Sequence, residues 1–440
     1  MTKNRGLFVF YIIIVLIFSI TGCSNNPASF NENDNIPIDK TLIITAIDNV
    51  TNNNIENVDL TIQSEDGEIK GETDSDGIYS VEAQFIEGES YNITANHEDY
   101  DEITITFTVD DSDDITVDCV LKDDFVITFD DQNLEDVIRI KIGKPTGDIY
   151  QSDVINIKVI SASGESIEFI GGIQYLENLE TLTISKNQIT DISPVSSLIN
   201  LIYLYFSSND VDDITSVSGL TNLTTLKFDS NEIGDISPVS DLINLERLIF
   251  SNNNVSDITS LSGLTKLEEL EIRGNQVNEI ESLSTLTSLI KLNVSYNGVS
   301  YITSLSGLTK LEELYFSYNN VSDISPISDL TNLNTLYFNN NELNDINPIS
   351  DLINLTTLHL GVNNVSDITS LSGLTNLEYL YIYRNQIDDI SVLVDNNVLN
   401  SEDYVDLRNN NLDLSEGSSD MDDINTLLDK GVYVQYESQT

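Results

Sequence analysis

Apolar and polar positions repeat with a period of 22 residues through most of the chain. The register is marked by Asn187, Asn209, Asn231, Asn253, Asn275, Asn297, Asn319, Asn341, Asn363 and Asn385, and after a three-residue insertion by Asn410. An aliphatic residue stands two places after each Asn, and an Ile five places after each of the first ten, from Ile192 to Ile390. A representative unit runs Leu220-Thr221-Asn222-Leu223-Thr224-Thr225-Leu226-Lys227-Phe228-Asp229-Ser230-Asn231-Glu232-Ile233. In Leu-x-Phe-x-x-Asn the apolar residues alternate inward on a short strand, and the chain then turns. The Asn side chain points in and satisfies backbone groups, so losing one leaves buried polar groups unpaired at about 1–3 kcal/mol each. No unit can bury its own face, so neighbours stack into a parallel sheet. Eleven strands about 4.8 Å apart make a sheet about 48 Å long. The back segment, as in Asp235-Ile236-Ser237-Pro238-Val239, is too short for a helix. Extended or 3₁₀ geometry is expected there, started by Pro194, Pro238, Pro326 and Pro348.

Residues 39–123 follow a different rule, with period two in runs such as Val58-Asp59-Leu60-Thr61-Ile62 and Ile103-Thr104-Ile105-Thr106-Phe107. About seven short strands predict a small antiparallel β-sandwich. The segment Thr73-Asp74-Ser75-Asp76-Gly77-Ile78-Tyr79-Ser80, with Tyr91 opening a later strand, resembles carboxypeptidase-regulatory-like or transthyretin-like modules. Asp74, Ser75 and Asp76 are candidate calcium ligands, but no Glu at loop spacing completes such a site. A hairpin turn is the expectation. In residues 124–175, Leu134, Val137, Ile138 and Ile140 fall at helical spacing and predict a cap over the first repeat. Repeats span 176–414. Residues 415–440 form the closing cap, with a helix around Met421–Leu428 and a strand in Gly431–Tyr436. The predicted fold is mainly β: a solenoid of about 11 repeats with a parallel concave sheet, preceded by a helical cap and the sandwich.

The N-terminus is a targeting segment. Lys3 and Arg5 precede the unbroken apolar run Leu7–Phe18, which ends at Ile20-Thr21-Gly22-Cys23. This resembles the bacterial lipobox. The resemblance implies that residues 1–22 are a lipoprotein signal peptide and that Cys23 carries a thioether-linked diacylglycerol with an acylated amino end. Two or three chains, at about 0.8 kcal/mol per buried methylene, hold the protein on a membrane. An ordinary secretory signal or an uncleaved anchor are the alternatives. Residues 23–38 are polar and Asn-rich and read as a flexible tether. The expected location is the bacterial cell envelope, outside the cytoplasm. Cys119 falls on the apolar face of its strand and reads as a buried free thiol.

Charge narrows the function. The chain carries 73 acidic and 19 basic side chains, a net −54, and phosphate binding needs the opposite, which argues against nucleic acid as a partner. Catalysis has no foothold. The two histidines, His97 and His359, lie in different domains, His/Cys clusters at metal spacing are lacking, and so is a phosphate loop. We expect no cofactor, no metal and no enzyme activity.

The 22-residue units, the cap before them and the helix and strand after them resemble the internalin class of leucine-rich repeats over roughly residues 125–440. That family consists of surface binding proteins, some of them adhesins for host receptors. Its wall anchor is missing here and the lipobox stands in for it. The positions six, four, two and one before each Asn should face solvent from the concave sheet. They hold Tyr203, Tyr205, Tyr296, Tyr315, Tyr318, Tyr337, Tyr379, Tyr381, Tyr383 and Tyr404, ten of the chain's 19 tyrosines. They also hold Lys186, Lys227, Arg247, Arg273, Lys291, Arg384 and Arg408 against Asp229, Glu269, Glu271, Glu313 and Asp406, a balance of +2 on an acidic protein. Tyr and Arg dominate binding hot spots. The tyrosines with Arg384 and Arg408 therefore mark a face for an unidentified protein. A polysaccharide stacked on the tyrosines, or a purely architectural envelope role, are the alternatives. His359 falls on the same face and reads as a bystander. An acidic residue four places after nearly every ladder Asn, from Asp191 to Asp389, is expected to accept backbone N–H groups rather than to bind cations.

Overall fold

The computed structural model describes residues 37–48, 53–64, 67–97, 100–109, 114–121, 124–395, 399, 401–437 and 439. The signal segment, Cys23 and all but the last two residues of the tether lie outside the described residues, as does the side chain of Cys119. The described residues form two compact units, those up to 127 with 150–152, and those of 128–149 with 153 onward.

Among the described residues the first unit holds, besides the two-residue strand Val126–Ile127, seven strands: β1 (Pro37–Asp48), β2 (Asp59–Ser64), β3 (Gly67–Glu72), β4 (Ile78–Ile86), β5 (Ser90–His97), β6 (Tyr100–Thr108) and β7 (Asp114–Leu121). They pair as β4-β1-β7 and β3-β2-β5-β6. Both sheets feed one core, with Leu42, Ile44 and Phe85 from the first and Leu60, Ile62, Tyr91 and Ile93 from the second. Pairing is antiparallel except between β1 and β7, which run parallel. Alternation fixes which face of a strand is apolar but not its direction, so this pairing is absent from the pattern. At Thr73–Ser80 a turn forms, with Asp74 Oδ1 accepting from the backbone N–H of Asp76 at 2.9 Å and of Ile78 at 3.0 Å.

The second unit opens with helix α1 (Gln132–Ile142), which Asp131 caps by accepting from the N–H groups of Asn133 and Leu134. The other Asp131 oxygen accepts from Glu168 and Phe169, tying the cap to the first coil. Burial would raise the Asp131 pKa, but these four backbone donors outweigh it and lower it. One sheet of 13 parallel strands then runs from Val159–Ser161 to Tyr433–Gln435. It exceeds eleven because a strand of each cap extends the repeat sheet. Neighbours pair in register, Leu204 with Leu226 and Leu226 with Leu248, and past the three-residue insertion Leu380 with Val405.

Inside, Phe206, Phe228 and Phe250 stack at 5.5 Å between successive ring centroids. The back segments turn through short 3₁₀ helices, four of which begin with Ser-Pro or Asn-Pro at Pro194, Pro238, Pro326 and Pro348. Each ladder Asn works in both directions. Asn319 Oδ1 accepts from Val299 N at 3.0 Å, and its Nδ2 donates to Val294 O at 3.0 Å and Phe316 O at 3.1 Å. A second, exposed ladder runs along one edge of the coils, where Asn178, Asn200, Asn222, Asn244, Asn332, Asn354 and Asn376 each donate to a carbonyl one coil earlier. It is interrupted by Lys266, Ser288 and Lys310. Helix α2 (Ser419–Asp429) and the strand Tyr433–Gln435 close the array.

Candidate partner-binding face

Each repeat strand is three residues long, so its first and last side chains face out and its middle Leu faces in. The residue before each ladder Asn takes a left-handed conformation, with φ of 59° at Lys186, 58° at Tyr296, 59° at Tyr318, 59° at Val362 and 50° at Arg384. Glycine occupies this slot at Gly274, φ 69°. For Val, a side chain branched at Cβ, the conformation is strained. Tyr296 and Tyr318 are thus displayed from a turn, while Tyr315, Tyr337 and Tyr381 end strands.

Four consecutive coils carry a continuous aromatic row. Ring centroids are 5.1 Å apart from Tyr315 to Tyr337, 5.3 Å from Tyr337 to His359, and 4.9 Å from His359 to Tyr381. Tyr404 continues the row on the next strand, 5.1 Å from Tyr381. Tyr383 leans back over the preceding coil, 5.6 Å from His359, and a Cβ on Gly361 would lie 2.7 Å from its ring. Only the missing side chain at Gly361 lets that ring lie down. His359 therefore sits at the centre of the cluster. Burial drives its pKa down to about 4, against a smaller upward pull from Asp406, so it is neutral at pH 7. Its Nε2 is buried with no hydrogen-bond partner. Burial raises the hydroxyl pKa of Tyr337, Tyr381 and Tyr404, which stay protonated. A second column stands at the turn, where Arg273 lies 4.6 Å above Tyr296 and Tyr296 stacks on Tyr318 at 4.2 Å.

Most charges on this face neutralise one another. Arg247 pairs with Glu269, Lys291 with Glu269 and Glu271, and Lys227 with Asp229. Arg408 is held bidentately by Asp406, at 2.8 and 2.6 Å, which occupies its guanidinium fork. Asp406 itself is 1% exposed. Among the described residues Lys186, Arg273 and Arg384 form no ion pair. The paired charges cancel four against four, so the balance of +2 is carried by Lys186, Arg273 and Arg384 against Glu313. On the edge beyond the ladder, Asp191, Asp213, Asp235, Asp257, Asp323, Asp345, Asp367 and Asp389 each accept the N–H two residues ahead, at 2.7–2.9 Å.

The family model described as a leucine-rich repeat region matches residues 156–415. An internalin of Listeria monocytogenes is 36% identical, with 71% of this chain and 91% of that one covered and a TM-score of 0.66. This chain is an internalin-like leucine-rich-repeat protein. A leucine-rich-repeat protein of Leptospira interrogans shares the fold at 21% identity, covering 66% of this chain and 80% of that one with a TM-score of 0.56. So does a plant peptide hormone receptor solved with its peptide, at 20% identity, 66% and 53% coverage and a TM-score of 0.55. No curated protein sequence matches the chain. Among the described residues no helix is long and apolar enough to cross a membrane.

Of the tyrosines named from the internalin-like register, Tyr337, Tyr381 and Tyr383 come together around His359, and Tyr315 and Tyr404 extend the cluster through Tyr337 and Tyr381. Tyr296 and Tyr318 form the separate column, and Tyr379 stands beside Tyr404 on the paired strand. Tyr203 and Tyr205 sit on one strand far up the array, away from both groups. The register put His359 on this face but not among the grouped rings, although it occupies the row position of Tyr337 and Tyr381. The left-handed slot was signalled by Gly274 and by Asn252, Asn340 and Asn409 recurring one place before the ladder.

Proposed function

We propose that this internalin-like protein is a lipid-anchored surface receptor or adhesin that recognises a protein partner through the C-terminal half of its concave sheet. The observation that carries this reading is the row Tyr315–Tyr337–His359–Tyr381, four rings at near-constant spacing on a rigid sheet. Aromatic side chains fixed by their neighbours lose little entropy on binding and offer apolar area with a polar tip. Uphill of the row, outward positions are taken by the ion pairs of Arg247, Glu269, Lys291 and Glu271. A plant receptor with the same fold holds a peptide, which supports the use of such a scaffold for polypeptide capture. Anchoring rests on the Ile20-Thr21-Gly22-Cys23 motif, with the lipid on Cys23 and the body facing out of the cell. The scaffold binds; it does not catalyse.

The test is a surface-displayed protein library selected on the full chain, run beside a glycan array. Binders should lose about 2 kcal/mol, roughly thirtyfold, when Tyr337→Ala and Tyr381→Ala are combined. Binders indifferent to both substitutions, or hits on glycans alone, overturn the reading.

A further inference from the structure

An open groove among the described residues of the repeat array runs beside the starts of the first repeat strands, apart from the aromatic row. It has a volume of about 490 Å³ and follows the exposed Asn ladder across the first coils, lined by Asn156, Lys158, Asn178, Glu180, Asn200 and Asn222. In three of these asparagines Nδ2 donates to a backbone carbonyl one coil earlier. Asn178 donates to Ile155 O, Asn200 to Glu177 O and Asn222 to Ile199 O, each at 2.9 Å. Among the described residues no hydrogen bond reaches their Oδ1 atoms, which leaves a line of acceptors along the groove, one per coil, about 4.8 Å apart. The chain shows what such an oxygen takes. One coil further on, Lys266 Nζ donates to Asn244 Oδ1 at 2.7 Å. Lys266 holds the ladder position itself, so an ammonium group from the next coil seals that stretch of the row. At Asn178, Asn200 and Asn222 the following coil supplies an Asn instead, and the oxygens stay open to the groove.

We infer that this groove docks a lysine-bearing segment of a partner protein, its ammonium groups seated on the Asn178, Asn200 and Asn222 oxygens as Lys266 is on Asn244. Three further features fit a basic occupant. The chain has a net charge of −54, whose field concentrates cations at its surface. Within the groove Glu180 already holds one ammonium, that of Lys158, at 2.7 Å. Ile199, 47% exposed, and Ile202 offer apolar surface for lysine stems. This surface is separate from the concave row, and neither reading depends on the other.

The experiment measures fluorescein-labelled hexalysine binding to the full chain by anisotropy at physiological ionic strength. Asn200→Lys combined with Asn222→Lys fills the groove with the chain's own ammonium groups, using the residue that coils 266 and 310 tolerate at that position. Asn332→Lys combined with Asn354→Lys adds the same charge on the same ladder outside the groove. The groove pair should weaken binding about tenfold and the control pair less than about twofold. Should the groove pair fail to fold, Ile199→Lys puts an ammonium at the exposed rim and carries the same expectation. Equal weakening by groove and control variants shows attraction by the overall field alone and overturns the proposal. No weakening by the groove variant overturns it as well.

Discussion

Asn319→Ala removes one rung of the buried ladder, and the structure sets the cost. Asn319 is 7% exposed. Its two carbonyl partners keep a second donor, because Asn297 Nδ2 also reaches Val294 O at 3.0 Å and Asn341 Nδ2 reaches Phe316 O at 2.9 Å. The N–H of Val299 has no such reserve, since Asn319 Oδ1 is its acceptor and Val299 is fully buried. One orphaned buried donor costs about 1–3 kcal/mol, and two weakened carbonyls with a small void bring the total to roughly 2–3 kcal/mol. In an array of this size that lowers the melting temperature by roughly 4–8 °C. Asn332→Ala on the exposed ladder breaks a single bond of 2.8 Å at the surface and should cost only about 0.5 kcal/mol. Asn319→Asp keeps the acceptor but aims a carboxylate oxygen at two carbonyls, so at pH 7 it should be worse than Ala. Calorimetric melts of the three variants decide the matter. If Asn319→Ala falls within about 0.5 kcal/mol of wild type, or matches Asn332→Ala, the ladder is not what holds successive coils together.

Three other expectations follow from single residues. Val362 sits at φ 59°, so Val362→Asn, the residue that holds the same slot at Asn252 and Asn340, should stabilise the array by about 1 kcal/mol in a denaturant melt. His359 has a folded pKa of about 4 against an ordinary value of 6.5, so the unfolded chain takes up its proton first as pH falls. Its contribution is complete above pH 6.5 and is lost between there and about 4. Wild type should therefore lose more stability than His359→Phe across that window, and parallel pH profiles would show the histidine to be uncoupled. Cys23→Ala should leave the protein unprocessed or released from the membrane fraction, and unchanged fractionation would rule out the lipid anchor.

The repeat could be read from the sequence because a solenoid imposes one local rule many times. The spacing of Asn187 to Asn385 locates each turn, and the Leu and Phe positions locate the inward face without knowledge of any distant contact. The extent of the sheet was less visible. Ile160 and Val434 pair with the array although neither belongs to a repeat, since a cap has to present only one matching strand. The β1–β7 pairing in the first unit depends on chain direction, which alternation does not encode. On the concave face the list of outward residues was accessible but their grouping was not. Whether Arg408 is available depends on Asp406, two residues away and on the same face, and whether Tyr383 lies flat depends on the absence of a side chain at Gly361. Such relations run between coils and are set by rotamers, which periodicity leaves open.

On the cell, the aromatic row is expected to meet a protein partner. A photo-activatable phenylalanine analogue placed at Tyr381 and, separately, at Tyr301, which is 79% exposed and lies outside the concave face, tests it in place. Irradiation of intact cells should yield a discrete protein adduct from position 381 and none from 301. Adducts from 301 alone, or an adduct at 381 that carries glycan and no polypeptide, would contradict the account.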